Sequence, residues 1–233
     1  MVDTLYSMIF KRRSFRKFLD EKLTISELEA IISSYDRDIG TYKIEERKNT
    51  SCRLGDLCLL CYGDRKDPLS IMEVGYKIER LELYLQSKGV GVCWYGFGRT
   101  KEKMLDGKDF IIMLALGRLN PEELRKDISE FKRNSIDDVF SGPFDKRVAE
   151  AVRLAPSACN SQPWRIESTE NEIFVYRTEG NTSIMRGGIK KYFNTIDIGI
   201  FLSILEISLE HFGYKYDKNI IGAESLIATY RIK

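Results

Sequence analysis

Two long helical segments with the same glycine spacing place the strongest constraint on how this chain folds. Residues 71–89 read IMEVGYKIERLELYLQSKG and residues 195–213 read TIDIGIFLSILEISLEHFG, so that Gly75 aligns with Gly199 at an offset of 124. A glycine inside a helix costs about 1 kcal/mol relative to alanine, and its presence in both segments indicates a close approach of two backbones. We therefore expect the two helices to pack against each other around a pseudo-twofold axis within one chain.

The helices that precede these segments also correspond. TISELEAIISSY begins with a capping box from Thr24 to Glu27, and FDKRVAEAVRLAPS matches its Glu-Ala pair at an offset of 121. A loop insertion would account for the change of offset from 121 to 124. The sequence therefore predicts one domain over residues 1–233, with an internal pseudo-repeat of halves 1–137 and 138–233.

Charge and composition argue against several classes of function. With 37 basic and 35 acidic residues the net charge is +2, which is typical of neither a nucleic-acid binder nor a membrane-surface binder. The beginning of the chain lacks the features of a signal peptide. The most apolar stretch, residues 196–212, carries three carboxylates and is interpreted as a buried helix rather than a membrane span. Five irregularly spaced cysteines predict a reducing, cytoplasmic location.

Cys58 and Cys61 form a Cys-x-x-Cys pattern with two interpretations. They could be a redox or metal pair, or two small apolar residues of a buried strand. The strand is favoured because leucines separate the cysteines and no second ligand pair follows, so no metal site is predicted. His211 is the single histidine, and we expect it to have a structural role. No histidine then remains for a Ser/His/Asp triad.

Each half carries a polar motif that the other half lacks. KRRSFRKF, residues 11–18, offers arginines that suit phosphate oxygens, although a solvated basic segment is an alternative. APSACNSQPW, residues 155–164, offers amides and hydroxyls that could read a heterocycle edge and a polyol, although it could be an elaborate helix end. GVGVCWYGFGR, residues 89–99, has glycines that would let backbone approach a flat ligand, or is a plain turn.

Taken together, these motifs resemble those of the nitroreductase-like FMN flavoproteins. The resemblance rests on Arg-Arg-Ser-x-Arg-x-Phe, Ala-Pro-Ser-x-x-Asn-x-Gln-Pro-Trp and Gly-x-Gly-x-Cys-Trp. Together the motifs cover most of the chain in the order expected for that family. Residues 115–140 also resemble the family's glycine-ended strand and basic tail, with Ser135 where the family has proline. The ordinary member is a homodimer with two FMN sites, whereas this chain resembles a rarer single-chain branch whose halves mimic the two subunits.

The resemblance implies an α+β fold, with a mixed, mostly antiparallel sheet flanked by helices and two long central helices. It also implies one composite FMN site per chain, which needs no second subunit, so a monomer is possible. The FMN-binding residues it implies are Arg12, Arg13, Ser14, Arg16, Tyr95, Gly96, Phe97, Lys132, Arg133, Pro156, Ser157, Ala158, Asn160 and Gln162.

The activity implied is an FMN-dependent NAD(P)H oxidoreductase that works by ping-pong hydride transfer through flavin N5. NADH or NADPH would be the reductant, and the partner would be a small electron acceptor such as a nitroaromatic or a quinone. No catalytic side chain is assigned. Residues 184–194, IMRGGIKKYFN, are a candidate wall for a nicotinamide phosphate, or a solvated loop. The alternatives are other flavin chemistry on this fold, namely reductive dehalogenation or flavin fragmentation, and a non-enzymatic flavin or nucleotide sensor.

Overall fold

Helices and strands alternate along the chain in the computed structural model, which describes residues 1–182 and 184–233. The α-helices are α1 (Val2–Ile9), α2 (Ile25–Ser33), α3 (Pro68–Ser87), α4 (Ile136–Val139), α5 (Lys146–Val152) and α6 (Gly187–His211). The capping box predicted for α2 is confirmed, since Thr24 and Glu27 each accept the other's backbone N–H. At α3, Asp67 caps the N–H groups of Leu69 and Ser70 and Pro68 occupies the first turn, where proline is well tolerated.

All strands of the first half belong to one antiparallel sheet. They are β1 (Thr41–Glu46), β2 (Leu57–Gly63), β3 (Val90–Tyr95), β4 (Met104–Leu105) and β5 (Lys108–Arg118). The strand order is β1-β2-β5-β3, and the short β4 pairs with β5. The inner strands β2 and β5 are almost entirely buried, which explains their nearly continuous apolar sequences.

The second half forms a separate sheet with the same connectivity. Its strands are β6 (Phe140–Ser141), β7 (Trp164–Ser168), β8 (Glu172–Arg177), β9 (Tyr216–Ile220) and β10 (Leu226–Ile232). In the order β6-β7-β8-β10-β9, the run from β7 to β9 repeats β1-β2-β5-β3, with a hairpin, a long helix, an edge strand and an inserted last strand. The mostly antiparallel α+β architecture is therefore confirmed, although the strands form two sheets where one was expected. Each half supplies all the hydrogen-bonding partners of its own sheet, and descent of the halves from a duplication stays a prediction.

The central helices α3 and α6 pack directly against each other, and the close approach predicted at their glycines is confirmed. A Cβ atom added to Gly75 would lie 2.1 Å from the carbonyl oxygen of Ile196. A Cβ atom added to Gly199 would lie 1.9 Å from the carbonyl oxygen of Met72. Both distances are far below van der Waals contact, so the crossing requires glycine on both helices.

The apolar sequence of α6 reflects its place in the protein core. By length and composition α6 could cross a membrane, with a mean hydropathy of 1.4 over its most apolar 18 residues, but 94% of that window is buried inside the fold. Trp164 of β7 stacks on Phe201 of α6 at a ring-centroid distance of 4.7 Å, which joins the helix to the second sheet. The interpretation of this stretch as a buried helix is confirmed.

The two cysteines of the Cys-x-x-Cys pattern lie on β2 and point in opposite directions. Residues three apart on a strand project from opposite faces of a sheet. Cys61 packs in the main core with α3 and α6, whereas Cys58 packs in a smaller cluster with Cys52 and Cys93 on the other face. Cys58 and Cys61 therefore cannot share a disulfide or a metal ion in this fold, and the buried-strand interpretation is confirmed.

We expect Gly75→Ala and Gly199→Ala each to lower the free energy of unfolding by about 2 kcal/mol or more, because the added methyl group overpacks a backbone contact. Urea denaturation measures this change. Gly188→Ala is the matched control, since Gly188 also lies in α6 but a Cβ there meets no atom within 4 Å. Equal stability of all three variants would contradict a crossing held together by glycine.

Candidate functional site

A cleft of about 400 Å³ lies where the two halves of the chain meet. Its volume falls in the range of small-molecule sites. Eight of the predicted cofactor-binding residues line it: Ser14, Arg16, Tyr95, Gly96, Phe97, Pro156, Ser157 and Ala158. The three motifs that are far apart in sequence therefore come together at one site.

The basic segment 11–18 reaches the cleft because it runs beside β3. The backbone N–H of Phe15 donates to the carbonyl oxygen of Val92 at 2.9 Å, and the Phe15 side chain is buried against Gly91. Ser14 and Arg16, on either side of Phe15, line the cleft instead. Alternation of the segment along this strand thus separates its apolar anchor from its polar groups.

Arg12 does not line the cleft, because its guanidinium is bound in the interior. Its Nε and Nη2 both donate to Oε1 of Glu82 on α3, at 2.9 and 2.7 Å, and both side chains are buried. The indole of Trp94 donates to the other oxygen of Glu82 at 2.5 Å. Burial and the Glu82 charge raise the pKa of neighbouring Glu79 well above its usual range. Arg12 thus fixes the basic segment and β3 onto α3, a role that differs from the phosphate contact predicted for it.

Behind the cleft, guanidinium groups are concentrated at one place. Burial, together with the charges of Arg12 and Arg125, lowers the pKa of Arg133 to about 9. Burial and the charges of Arg12 and Arg13 lower the pKa of Arg125 to about 10. Arg125 donates to the backbone carbonyl of Arg12 and stacks on the ring of Phe131 at 4.1 Å. Since like charges this close disfavour one another, the cluster provides a positive potential suited to an anion.

The loop at residues 156–163 is held in an unusual backbone conformation. Cys159, Asn160 and Gln162 have φ values of 51°, 57° and 47°, a left-handed region that non-glycine residues rarely adopt. Such conformations persist only where surrounding contacts impose them, and they concentrate at functional sites. Ser157 Oγ supplies one of these contacts, since it accepts the backbone N–H of Gln162 at 2.9 Å.

The amides of this loop bind protein groups rather than facing the cleft. The side-chain Oδ1 of Asn160 accepts from Nη1 of Arg133 at 2.8 Å, and its side-chain Nδ2 donates to the backbone carbonyl oxygen of Lys132 at 2.8 Å. The Gln162 side chain is buried and exchanges two hydrogen bonds with Asn134. These contacts join the loop of the second half to the basic tail of the first.

Two other predicted residues also lie outside the lining of the cleft. Arg13 donates from Nη1 to the carbonyl oxygen of Glu123 at 2.9 Å, and its backbone N–H donates to Gln86. The exposed Lys132 takes part through its backbone carbonyl, which binds Asn160. The expectation that both side chains contact a phosphate stays a prediction.

Asp197 is a functional candidate that sequence reasoning did not identify. It lies on α6, lines the cleft and is buried, and its Oδ1 accepts the backbone N–H of Ala158 at 3.0 Å. Burial raises the pKa of Asp197 to about 8. A carboxyl group that is protonated at neutral pH therefore faces the cleft and anchors its loop. Its signal in the sequence was an acidic residue within an apolar run, two positions before Gly199.

Phe193, also on α6, forms another part of the wall that the motifs did not indicate. A Cβ atom added to Gly96 would lie 2.8 Å from the Phe193 ring, so the turn after β3 rests directly on that ring. Residues 184–194, predicted as a candidate wall, contribute Met185 and Phe193 to the cleft. The glycine-rich turn and the beginning of α6 therefore close one side together.

A second cleft of about 520 Å³ is lined in part by residues that lie 124 positions before residues of the first. At the offset of 124, Met72, Glu73 and Tyr76 stand where the first cleft has Ile196, Asp197 and Ile200. Ion pairs cross this region, including Lys77 with Glu73 at 2.6 Å and Lys218 with Glu206 at 3.0 Å. Neither the basic motif nor the Pro-Ser loop borders it, so the two clefts differ in chemistry.

Comparisons with known proteins agree with this geometry. The profile of the family described as "Putative TM nitroreductase" matches residues 4–209. A crystal structure described as "a putative nitroreductase" from Thermotoga maritima MSB8 is similar in fold, with a TM-score of 0.66 and 20% sequence identity over 98% of this chain and 92% of that chain. No curated protein sequence matches the chain.

We expect Asp197→Asn to stabilise the protein at alkaline pH and to have little effect at pH 4. The pKa of Asp197 is raised, so its contribution to stability is complete below its ordinary pKa of about 4 and is lost as the pH rises through about 8. An asparagine keeps the acceptor for Ala158 without acquiring a charge. Thermal denaturation from pH 4 to pH 9 should show a gain that grows between about pH 4 and pH 8 and is constant above that, of about 2–4 °C for each kcal/mol recovered.

Asp36→Asn removes an exposed carboxylate and is the matched control for this measurement. Its melting curve should keep a constant separation from that of the wild type across the same pH range. If Asp197→Asn behaves in that way too, the carboxyl group is not protonated in the folded protein at neutral pH.

Proposed function

This chain belongs to the TM nitroreductase family, a family of nitroreductase-like oxidoreductases, and from that membership we propose that it is an FMN-dependent NAD(P)H oxidoreductase. NADH or NADPH is the reductant, and the electron acceptor is a small molecule such as a nitroaromatic or a quinone. The cleft between the halves is the FMN site, with one FMN per chain. We also propose that the protein is cytoplasmic and can act as a monomer.

The observation that carries this proposal is that three sequence motifs from both halves line a single cleft. Ser14 and Arg16 come from the first half, and Ser157 and Ala158 from the second. The loop of the second half is then tied to the basic tail of the first through Asn160 and Arg133, at 2.8 Å. A site of this composition needs both halves but no second chain.

The residues present fit a flavin mononucleotide. Behind the cleft lies a cluster of cations whose pKa values are lowered by burial and by one another, and a bound phosphate dianion would offset their mutual repulsion. The other walls are apolar and aromatic, including Tyr95 and Phe193, and suit a flat ring system. Ser14 and Arg16 would hold the phosphate, with Arg133 and Arg125 supporting the positive potential behind them.

A bound FMN would supply the hydride chemistry, accepting a hydride from the nicotinamide and passing electrons to the acceptor. The residues of this chain bind and orient the two ligands and keep water from the reacting face. The backbone at Tyr95–Phe97 can donate hydrogen bonds to a ring edge, and the Phe193 ring fixes that turn. Asp197 holds a proton at neutral pH and keeps the loop at Ala158 in place.

The second cleft supports a stoichiometry of one FMN per chain. Where the first cleft has Trp94, the offset of 124 places Lys218, whose ammonium group is paired with Glu206. Lys77 is likewise paired with Glu73 and Asp38. These two cations are paired with carboxylates, and the lining as a whole holds three lysines and three carboxylates, so no net positive charge is left for a phosphate.

We expect the purified protein to bind FMN at about one equivalent per chain and to be reduced by NADH or NADPH under anaerobic conditions. Visible absorbance measures both the occupancy and the reduction. A protein that binds no FMN, either as purified or after reconstitution, would falsify the proposal. A protein that binds FMN but is reduced by neither nucleotide would be a flavin-binding protein without this activity.

We expect Arg133→Gln to weaken FMN binding severalfold, because it removes one charge from the cluster behind the cleft and so lowers the positive potential at the phosphate. Quenching of FMN fluorescence measures the dissociation constant. Arg165→Gln is the matched control, since Arg165 is an exposed arginine on β7 away from the cleft. Equal losses in both variants would show that only net charge matters and would remove Arg133 from the site.

A further inference from the structure

A basic pocket adjoins the cleft at its glycine-rich turn. The pocket has a volume of about 560 Å³ and shares Gly96, Phe97 and Phe193 with the cleft. Its other walls come from the loop after β2, the segment between β3 and β4, and the beginning of α6. We call it the vestibule and define it by Arg65, Arg99, Lys103, Phe97 and Tyr192.

The vestibule is lined by cations and by no carboxylate side chain. Within residues 1–182 and 184–233, the side chains of Arg65, Arg99 and Lys103 form no ion pair. The arginines behind the cleft, by contrast, are bound by protein groups: Arg12, Arg13, Arg125 and Arg133. All three are exposed to solvent. The nearby Asp109 accepts the backbone N–H of Arg65 at 3.4 Å but does not line the pocket. The local charge therefore favours an anionic ligand.

Aromatic rings stand beside these cations in fixed positions. The Tyr192 hydroxyl donates to the carbonyl oxygen of Ile111 at 2.8 Å, and the Arg65 guanidinium lies over the Tyr192 ring at 5.0 Å. Phe97 packs edge-on against Phe193 at 5.4 Å yet remains 65% exposed. The exposed part of the Phe97 ring is available for packing against a planar base.

Anion recognition and base stacking at the edge of the cleft together suit one kind of ligand. We propose that the vestibule binds the phosphorylated adenosine end of the dinucleotide reductant and that its cations select the form carrying a 2′-phosphate. This inference rests on the proposed function, because it takes the cleft as the place where the nicotinamide enters. A dinucleotide that extends from the cleft past Phe97 and Phe193 would enter the vestibule, whose walls include Arg99 and Lys103.

The number and type of the cations favour phosphate over a carboxylate-bearing acceptor. A phosphate monoester carries a charge of about −1.5 to −2 at neutral pH and offers three acceptor oxygens. The planar guanidinium groups of Arg65 and Arg99 match pairs of such oxygens, and Lys103 adds a mobile point charge. A single carboxylate would use one of these cations and leave the others unpaired.

Binding of adenosine 2′,5′-bisphosphate, the end fragment of NADPH, tests the proposal without relying on turnover. Isothermal titration calorimetry at low ionic strength should detect binding to the wild-type protein. The double variant Arg99→Gln/Lys103→Gln should bind it about tenfold more weakly or worse, since two charge-assisted contacts are lost. Lys101→Gln, a neighbouring exposed lysine that does not line the pocket, should leave its binding unchanged.

Anaerobic reduction of the FMN-loaded protein provides the second measurement. We expect the double variant to lose the preference for NADPH over NADH while reacting unchanged with reduced nicotinamide mononucleotide, which lacks the adenosine end. No binding of the bisphosphate to the wild type, or equal binding by all variants, overturns the vestibule proposal. FMN occupancy is measured separately by absorbance, so a protein that takes up FMN but not the bisphosphate refutes only this inference, and the reverse result refutes only the proposed function.

Discussion

The contact between α3 and α6 at Gly75 and Gly199 is the constraint on which the rest of the structure depends. Only with both Cβ atoms absent can the carbonyl oxygens of Ile196 and Met72 approach the opposite helix so closely. Each sheet is complete within its own half, so the crossing is what brings the halves together in the shared core. The cleft follows from it, because β3 and the turn after it come from one half and the Pro-Ser loop from the other.

The same two helices each bury a glutamate at equivalent positions, Glu82 and Glu206, and each glutamate needs a set of donors. A buried carboxylate without partners would be strongly destabilising. Glu82 is satisfied by Arg12, Gln86 and Trp94. Three tyrosine hydroxyls and Lys218 satisfy Glu206. The first network extends to the wall of the cleft through Trp94, so the interior polarity of α3 helps to position the site.

The sequence was sufficient to predict what depends on periodic or local patterns. The glycine crossing, the capping box at Thr24 and the buried strand around Cys58 follow from spacing alone, and the family motifs led to most of the residues that line the cleft. The sequence was not sufficient to predict contacts between side chains that are distant along the chain. Arg12 turns inward because Glu82, 70 positions away, is buried beneath it, and no feature of KRRSFRKF distinguishes Arg12 from Arg16.

Other features of the structure could not be predicted from the sequence pattern, for a related reason. The separation of the strands into two sheets depends on which edges pair, and both arrangements have the same alternation of apolar residues. Asp197 and Phe193 lie in a helix that is almost entirely buried, so its sequence does not show which side chains face a cavity. The cationic vestibule is assembled from Arg65, Arg99 and Lys103, three short segments whose charges look like an ordinary solvated surface when read in order.

The unequal clefts on the two sides of α3 and α6 have a genetic consequence. In a homodimer one codon specifies both copies of a residue, so every substitution appears at both interface sites at once. Here Trp94 and Lys218, or Asp197 and Glu73, occupy equivalent places but are encoded separately. A substitution on one side of the α3–α6 pair can therefore change one cleft and leave the other as it is.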